Sequence, residues 1–383
     1  MKASLHILLI CKSMPWRFKG GIQTHSWELA KSLTQAGHQV SVLTGGAFRE
    51  GEKTYDKEGI QLIEVPYWPG RYLKPISLLA EELSFNYKVR QWVKQNHGKY
   101  DVVHIQGRSG YLLHTVKALR HKTVATLHGL LSKETARQHW TNLNAAIHRG
   151  VTKYHEERTY EHATQCITVS QSLKADVQKQ CAQLEAEVIP NGVKFQNTAD
   201  MMIGTKPPRF LFVGRLHSVK GILPLVKAMR HAPEHYRLDV IGDGPQKDEI
   251  QSTIEKYGLA QRVRLLGAYP NEKVQQVLPY YKALVLPSHY ETQGIVLLEA
   301  LACAVPVIAS DIPAIRETIE HGQQGLLCPP DQPASFIKAM QQMTEQDLET
   351  QLMGIRGRKA MQHTADWDAV AERTIEVYQR LAS

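Results

Sequence analysis

Three glycine-bearing segments of this sequence carry charged side chains at spacings that suit phosphate and hydroxyl recognition. The most specific is Tyr290-Glu-Thr-Gln-Gly-Ile-Val-Leu-Leu-Glu-Ala300. A helix starting near Gly294 and Ile295 would turn its first N–H groups toward an anion. Glu291 would then lie just outside the helix start, and Glu299 about five residues, or ~7.5 Å of rise, inside it. Carboxylates accept hydrogen bonds from hydroxyls, so one could hold a ribose and the other a sugar ring. Exposed helix charges are the alternative, but Glu299 follows an unbroken apolar run, where burial without a partner is costly.

The second segment is Gly214-Arg215-Leu216 with Lys220-Gly221, directly after an apolar strand. An arginine and a lysine five apart at the carboxyl end of a strand can converge on one anionic group such as a diphosphate. A surface pair beside a turn is the plain alternative. The third is Lys19-Gly20-Gly21-Ile22, after the first strand and before a helix, which reads either as a close approach to phosphate or as a simple tight turn. His128, in Leu127-His128-Gly129 at the end of a strand, could donate a hydrogen bond or handle a proton, although a strand-end histidine is often structural. His104, in Asp101-Val-Val-His104, carries the same signal more weakly.

These loops need rigid elements behind them. Short apolar runs alternate with helical stretches from His6–Ile10 through Val40–Thr44, Ile60–Val65, Asp101–Ile105, Thr123–Leu127 and Gln165–Val169. That alternation predicts an α/β chain with parallel sheets covered by helices. A turn at Ile189-Pro-Asn-Gly192 and a polar stretch over residues 196–208 interrupt it, and the pattern restarts at Arg209–Val213. Further strands are expected at Tyr236–Ile241, Val263–Leu266, Ala283–Leu286 and Val305–Ile308. A last helix from about Asp366 to Leu381 has Trp367, Val370, Ile375 and Tyr378 at near-helical spacing. The expected domains are 1–195 and 196–365, both Rossmann-like and facing a cleft, with 366–383 as a terminal helix.

The length of 383 residues suits two large domains, and 43% hydrophobic with 22% charged residues is an ordinary globular balance. No apolar run approaches the ~20 residues of a membrane span, and the N-terminal strand is too short for a signal-peptide core, so a cytoplasmic chain is expected. Five cysteines without C-x-x-C spacing read as reduced thiols. The single Asp-x-Asp, Asp366-Trp-Asp368, opens the last helix, where carboxylates act as caps, so no metal site is expected. The net charge of +9 is uneven: residues 1–195 hold 26 Lys and Arg against 16 Asp and Glu, and residues 196–383 hold 20 against 21. The basic half could attract an anionic membrane surface or substrate. Nucleic acid is not expected, for there is no aromatic RNP motif, zinc-finger spacing or long basic run. Trp68, Tyr72, Leu78, Leu79, Phe85 and Trp92, set among Arg71, Lys74, Lys88 and Arg90, could form an interfacial or acceptor-binding surface or an amphipathic core helix.

Taken in order, these motifs resemble the retaining glycosyltransferases of family 4, which have the GT-B fold of two facing Rossmann-like domains, with a final helix, here 366–383, that crosses back onto the N-terminal domain. The resemblance runs through Gly20-Gly21, Asp101-Val-Val-His104, Leu127-His128-Gly129, Val169-Ser170, Ile189-Pro-Asn-Gly-Val193, Gly214-Arg215-Leu216, Lys220-Gly221, Gly242-Asp243-Gly244-Pro245, Leu266-Gly267 and the Glu291/Glu299 pair. It implies a nucleotide-sugar donor, with UDP-sugar as the expectation and no separate cofactor. It assigns the diphosphate to Arg215 and Lys220, the ribose to Glu299 and the donor sugar to Glu291. Gly21 would approach the phosphates, His128 would contact the transferred sugar, and Asp243, Gly244, Leu266 and Gly267 would border the nucleobase. The acceptor would be a sugar or a lipid-linked molecule, with peripheral contact to an anionic membrane. A sugar phosphorylase, a nucleotide-sugar epimerase and a non-catalytic binding subunit are the rival readings. Thr292-Gln293 stands where the family often has Gly-Phe, Lys194 where it often has Asp, and Gln106 where a second histidine is common.

Overall fold

The computed structural model describes residues 4–18, 20–69, 77–130, 143–195 and 204–381. Lys19, Arg71, Tyr72, Lys74 and residues 196–203 of the polar stretch lie outside them. The chain divides into two compact units, residues 1–191 with 367–383, and residues 192–366.

In the first unit eight strands form one sheet: β1 (His6–Ile10), β2 (Gln39–Gly46), β3 (Lys53–Lys57), β4 (Ile60–Pro66), β5 (Val102–Gln106), β6 (Thr123–Leu127), β7 (Gln165–Thr168) and β8 (Ala186–Val188). Their order is β3-β4-β2-β1-β5-β6-β7-β8. Every pair is parallel except β3 with β4. The run Ile7-Leu-Leu-Ile10 is fully buried, as a central parallel strand covered on both faces requires. β3 was not anticipated, because Lys-Thr-Tyr-Asp-Lys is exposed throughout; a charged edge strand carries no apolar pattern and resists edge-to-edge pairing.

The second unit holds six parallel strands: β9 (Arg209–Val213), β10 (Arg237–Ile241), β11 (Val263–Gly267), β12 (Ala283–Leu286), β13 (Val307–Ser310) and β14 (Gly325–Cys328). They are ordered β11-β10-β9-β12-β13-β14. Each unit is thus built on a Rossmann-like sheet, wholly parallel in the second unit and parallel but for the edge strand β3 in the first. In each sheet the first strand has neighbours reached by opposite crossovers, β2 and β5 around β1, and β10 and β12 around β9. The carboxyl ends of these strands are topological switch points, where open α/β sheets bind ligands.

The last helix, Trp367–Gln379, belongs to the first unit, with Trp367, Val370, Ile375 and Tyr378 buried in the core around Ile7, Leu9 and Trp27. The helix Ser77–Asn96 sends Phe85, Val89, Trp92 and Val93 into the opposite core. Phe85 and Trp92 are therefore core residues, as the amphipathic core-helix alternative expects of those two positions. All five cysteines are free thiols, four of them buried. No helix among the described residues is long and apolar enough to cross a membrane.

A buried polar chain fastens the last helix to the first sheet. The His104 ring meets the Tyr378 hydroxyl at Nδ1 and the Thr126 hydroxyl at Nε2, both at 2.6 Å. His104 is wholly buried within β5, so its place is structural rather than at a strand end facing ligand. Tyr378→Phe leaves a buried ring nitrogen without a partner and should cost about 1–3 kcal/mol. The expected result is a lower urea midpoint at unchanged m-value, and an unchanged midpoint would show that the contact contributes nothing.

Candidate active site

The second unit gathers the charged residues at the β9/β12 switch point. Gly214 and Arg215 follow β9, and the chain turns through a single 3-10 turn, Ser218–Lys220, to Gly221. Gly221 has φ +64, and a Cβ there would lie 2.0 Å from the Pro287 carbonyl oxygen. Only glycine lets this loop seat on the loop after β12. The His289 N–H donates to the Val219 carbonyl at 2.8 Å, joining the same two loops.

Across that junction Lys220 Nζ donates to Glu291 Oε1 at 2.7 Å, and Ser288 Oγ donates to the same oxygen at 2.7 Å. Glu291 is 9% exposed. Arg215 is exposed, yet it acts on the same space. After burial, Arg215 and Lys220 are what hold the His217 imidazole below its ordinary pKa. His217 Nδ1 accepts the Val219 N–H, which a neutral ring can do. Neither Ser288 nor His217 was anticipated; each lies within three residues of a predicted residue, but nothing in its type singles it out.

Gly294, at φ +82, is the N-cap of the helix Ile295–Ala302. Its left-handed conformation reverses the chain so that the helix starts beside Glu291, whose carboxyl carbon lies 3.9 Å from a Cβ built on Gly294. Ile295 is the first helical residue. Glu299, on the second turn, accepts from Asn271 Nδ2 at 2.7 Å and is 6% exposed. Asn271 comes from a helix start 28 residues earlier, Asn271–Val277, so local sequence could not point to it.

Backbone bonds tie the ends of β9, β10 and β11 together. Gly214 N–H donates to Ile241, Leu216 to Asp243, and Gly242 to Gly267. Asp243 is exposed and turns its carboxylate back on the Gly244 N–H at 2.8 Å. Leu266 and Gly267 end β11 at a register shift opposite Ile241. Gly214, Asp243, Gly244, Leu266 and Gly267 thus line one edge of one sheet.

Gly20, Gly21 and His128 belong to the first unit. Gly20 has extended backbone and is the N-cap of the helix Gly21–Gln35, with no side-chain cap. His128 Nε2 meets Gln106 Oε1 at 2.8 Å, and its ring packs edge-on to His25 at 4.7 Å. His25 lies on the helix opened by Gly21, which brings His128 beside that helix's first turns. Burial, followed by His25 and His104, holds the His128 pKa well below the ordinary value. Its ring is neutral at physiological pH, a hydrogen-bonding group rather than a charge.

Two family models match this chain almost end to end. Residues 19–197 match the model described as Glycosyltransferase Family 4, and residues 194–360 the one described as Glycosyl transferases group 1. The chain belongs to glycosyltransferase family 4. Among curated relatives, it is 25% identical to a glycogen synthase of Mycobacterium tuberculosis, over 98% of this chain and 94% of that one. Among solved structures it superposes on sucrose-phosphate synthase from Thermosynechococcus elongatus with a TM-score of 0.85 and 23% identity, covering 99% and 100% of the two chains. The Anabaena protein HepE, solved in complex with UDP-glucose, superposes at 0.74 with 20% identity, over 98% of this chain and all of that one.

In this glycosyltransferase Glu299 carries the clearest electrostatic signature. Burial pushes its carboxyl pKa up from 4.5 to about 7, against the lowering effect of the Asn271 amide. Between those values the native state holds a proton that the unfolded chain has released, so stability falls as pH rises through that window. The loss amounts to roughly 3 kcal/mol in all. Glu299→Gln, which cannot ionise, should flatten the fall in melting temperature between pH 5 and 8. A slope as steep as that of the unmodified enzyme would mean that Glu299 is already ionised at pH 5.

Proposed function

We propose that this glycosyltransferase moves a hexose from a UDP-linked donor to a sugar or lipid-linked acceptor, with retention of anomeric configuration and without a metal. The observation that carries the donor half is the cluster at the β9/β12 switch point: Arg215 and Lys220 beside Glu291, followed by the glycine-capped helix that bears the buried Glu299. HepE, which shares the fold, was solved with UDP-glucose, and that supports a UDP-sugar as donor.

Cleavage of the anomeric C–O bond expels a nucleoside diphosphate. Arg215 and Lys220, with the N–H groups at Gly294 and Ile295, stabilise the charge that develops on it. Glu291 then exchanges its bond with Lys220 for hydroxyls of the donor sugar, and Glu299 accepts from the ribose. Asp243, Gly244, Leu266 and Gly267 border the base, and Gly20 and Gly21 serve the phosphates. No enzymic nucleophile is required. The acceptor hydroxyl attacks the face that the diphosphate leaves, and a departing phosphate oxygen takes its proton. His128, neutral, offers a hydrogen bond to the transferred sugar. The excess of basic residues over 1–195 favours an anionic or membrane-borne acceptor, met from the cytoplasmic side.

The test is calorimetric titration with UDP, GDP, ADP and their hexose conjugates, with and without EDTA, followed by product analysis by NMR. Selective binding of UDP and a UDP-hexose that survives EDTA, and an α-linked product from an α-linked donor, are expected. Lys220→Ala and Glu291→Gln should each lower kcat by about a hundredfold or more. Full turnover in either variant would overturn the residue roles. Sugar 1-phosphate release that depends on free phosphate, or an isomerised donor without acceptor, would replace the transferase reading with a phosphorylase or an epimerase.

A further inference from the structure

The amino-terminal edge of the second sheet carries a charged cavity of its own. A cavity of ≈ 320 Å³ opens there, lined by Arg209, Arg237 and Arg264 together with His235, Gln261 and the Pro207-Pro208 segment. That volume falls at the small end of ligand sites. Its three arginines sit at or next to the first residues of β9, β10 and β11. The residues proposed for the donor lie at the opposite ends of the same strands. Arg209 and Gly214 are five residues apart along β9, about 17 Å at the strand rise, and Arg237 and Gly242 are equally separated along β10. A molecule in the cavity and a donor at the carboxyl edge would not compete for space.

The three guanidinium groups are held in place before any ligand arrives. Arg264 makes a two-pronged contact with Asp239, Nε to Oδ1 at 2.8 Å and Nη2 to Oδ2 at 2.9 Å. Arg209 Nε lies 3.3 Å from the same carboxylate, and its guanidinium stands over the Tyr281 ring. Asp239 is itself wholly buried and accepts the Tyr281 hydroxyl at 2.8 Å. Arg237 is pinned differently, by donating from Nη1 to the backbone carbonyls of Glu234 and Tyr236. Three cations therefore face one cavity with one carboxylate among them, a net of two positive charges. Each guanidinium has five N–H donors, and each uses only one or two in these contacts, so every one keeps donors for an oxyanion. A buried ion pair is weak evidence for stability. This one fixes two arginines at the rim, where long cationic side chains would otherwise move freely.

We propose that this cavity is a binding site for a small dianionic phosphate, as inorganic phosphate or as the phosphate of a small sugar ester, separate from the donor site. Fixed, planar guanidiniums match phosphate oxygens in pairs, two net charges match a dianion, and His235 and Gln261 offer hydrogen bonds to an attached polyol.

The test is calorimetric titration of the full chain with inorganic phosphate, glucose 6-phosphate and glucose, each against potassium chloride of matched ionic strength. Arg237→Ala is the informative variant, because Arg237 is held by backbone carbonyls and its loss strands no buried carboxylate. Saturable binding of phosphate or of the ester is expected, and it is weakened at least tenfold in Arg237→Ala. Tighter binding of glucose 6-phosphate than of inorganic phosphate identifies the ester as the ligand, and equal binding identifies free phosphate. No binding beyond the salt control overturns the proposal, and so does wild-type affinity in Arg237→Ala. Loss of phosphate binding in Lys220→Ala with no change in Arg237→Ala would move the anion to the donor edge. The assay needs no nucleotide, so its outcome is independent of the donor proposed above.

Discussion

The arrangement of charges at the β9/β12 switch point depends on the 2.7 Å contact between Lys220 and Glu291, two residues 71 positions apart in the chain. Neither loop could hold its side chain alone. The lysine loop is seated by Gly221 against Pro287, the carboxylate is steadied by Ser288, and the backbone bond from His289 to Val219 closes the seam. A half-buried ion pair of this kind adds little net stability once desolvation is counted. Its effect is placement: it holds a cation and a carboxylate side by side at the β9/β12 switch point. The pair also compensates the Lys220 charge within the protein.

Placement in the first unit is achieved with neutral groups instead. The last helix touches the polar chain at two points, Trp367 against the His25 ring and the Tyr378 hydroxyl against His104. From His104 the contacts pass to Gln106 and then to His128. Burial is the first cause that lowers the pKa of all three histidines, taking His25 to about 4 and His104 to about 3. Each further charge would repel the others, so the network is stable only with uncharged rings. A neutral His128 can take part in hydrogen bonds but brings no charge.

What could be read from the sequence was what is local. Runs such as Phe210-Leu-Phe212 and Leu284-Val-Leu286 give strands because a parallel sheet covered on both faces is apolar without alternation. Gly294, Ile295 and the eight-residue spacing of Glu291 and Glu299 give a helix start with two carboxylates because helical geometry is fixed. Asn271, Ser288 and His217 escaped notice because their roles exist only after distant segments meet. Gly221 was seen as part of a phosphate loop, but its demand is steric and comes from Pro287, 66 positions away. The exposed edge strand Lys53–Lys57 has no apolar periodicity to read. Phe85 and Trp92 were ambiguous for the opposite reason: an aromatic stripe on a helix looks the same whether it meets lipid or core, and only the sheet it lands on decides.

The two edges of the second sheet solve one problem in different ways. At the carboxyl edge, Gly242 and Gly244 let backbones pack together, for a Cβ there would lie 1.9 Å from the Gly214 carbonyl oxygen and 2.4 Å from that of Leu216. At the amino edge, the strands begin with long arginines, and a buried aspartate must anchor them. Asp239 is held below the usual carboxylate range even though burial alone would raise it, because Arg264 and Tyr281 donate to it and Arg209 stands close. Glu299 has only the Asn271 amide, and burial prevails there. Glu299 lies deeper than Asp239 and has a single amide partner, so depth and partners together set the difference. Asp239 is complete within the protein, whereas Glu299 lacks the donors that would make its charged form comfortable. In the proposed role of Glu299, two hydroxyls of a donor ribose would supply them, and the carboxylate would gain its partners together with the donor.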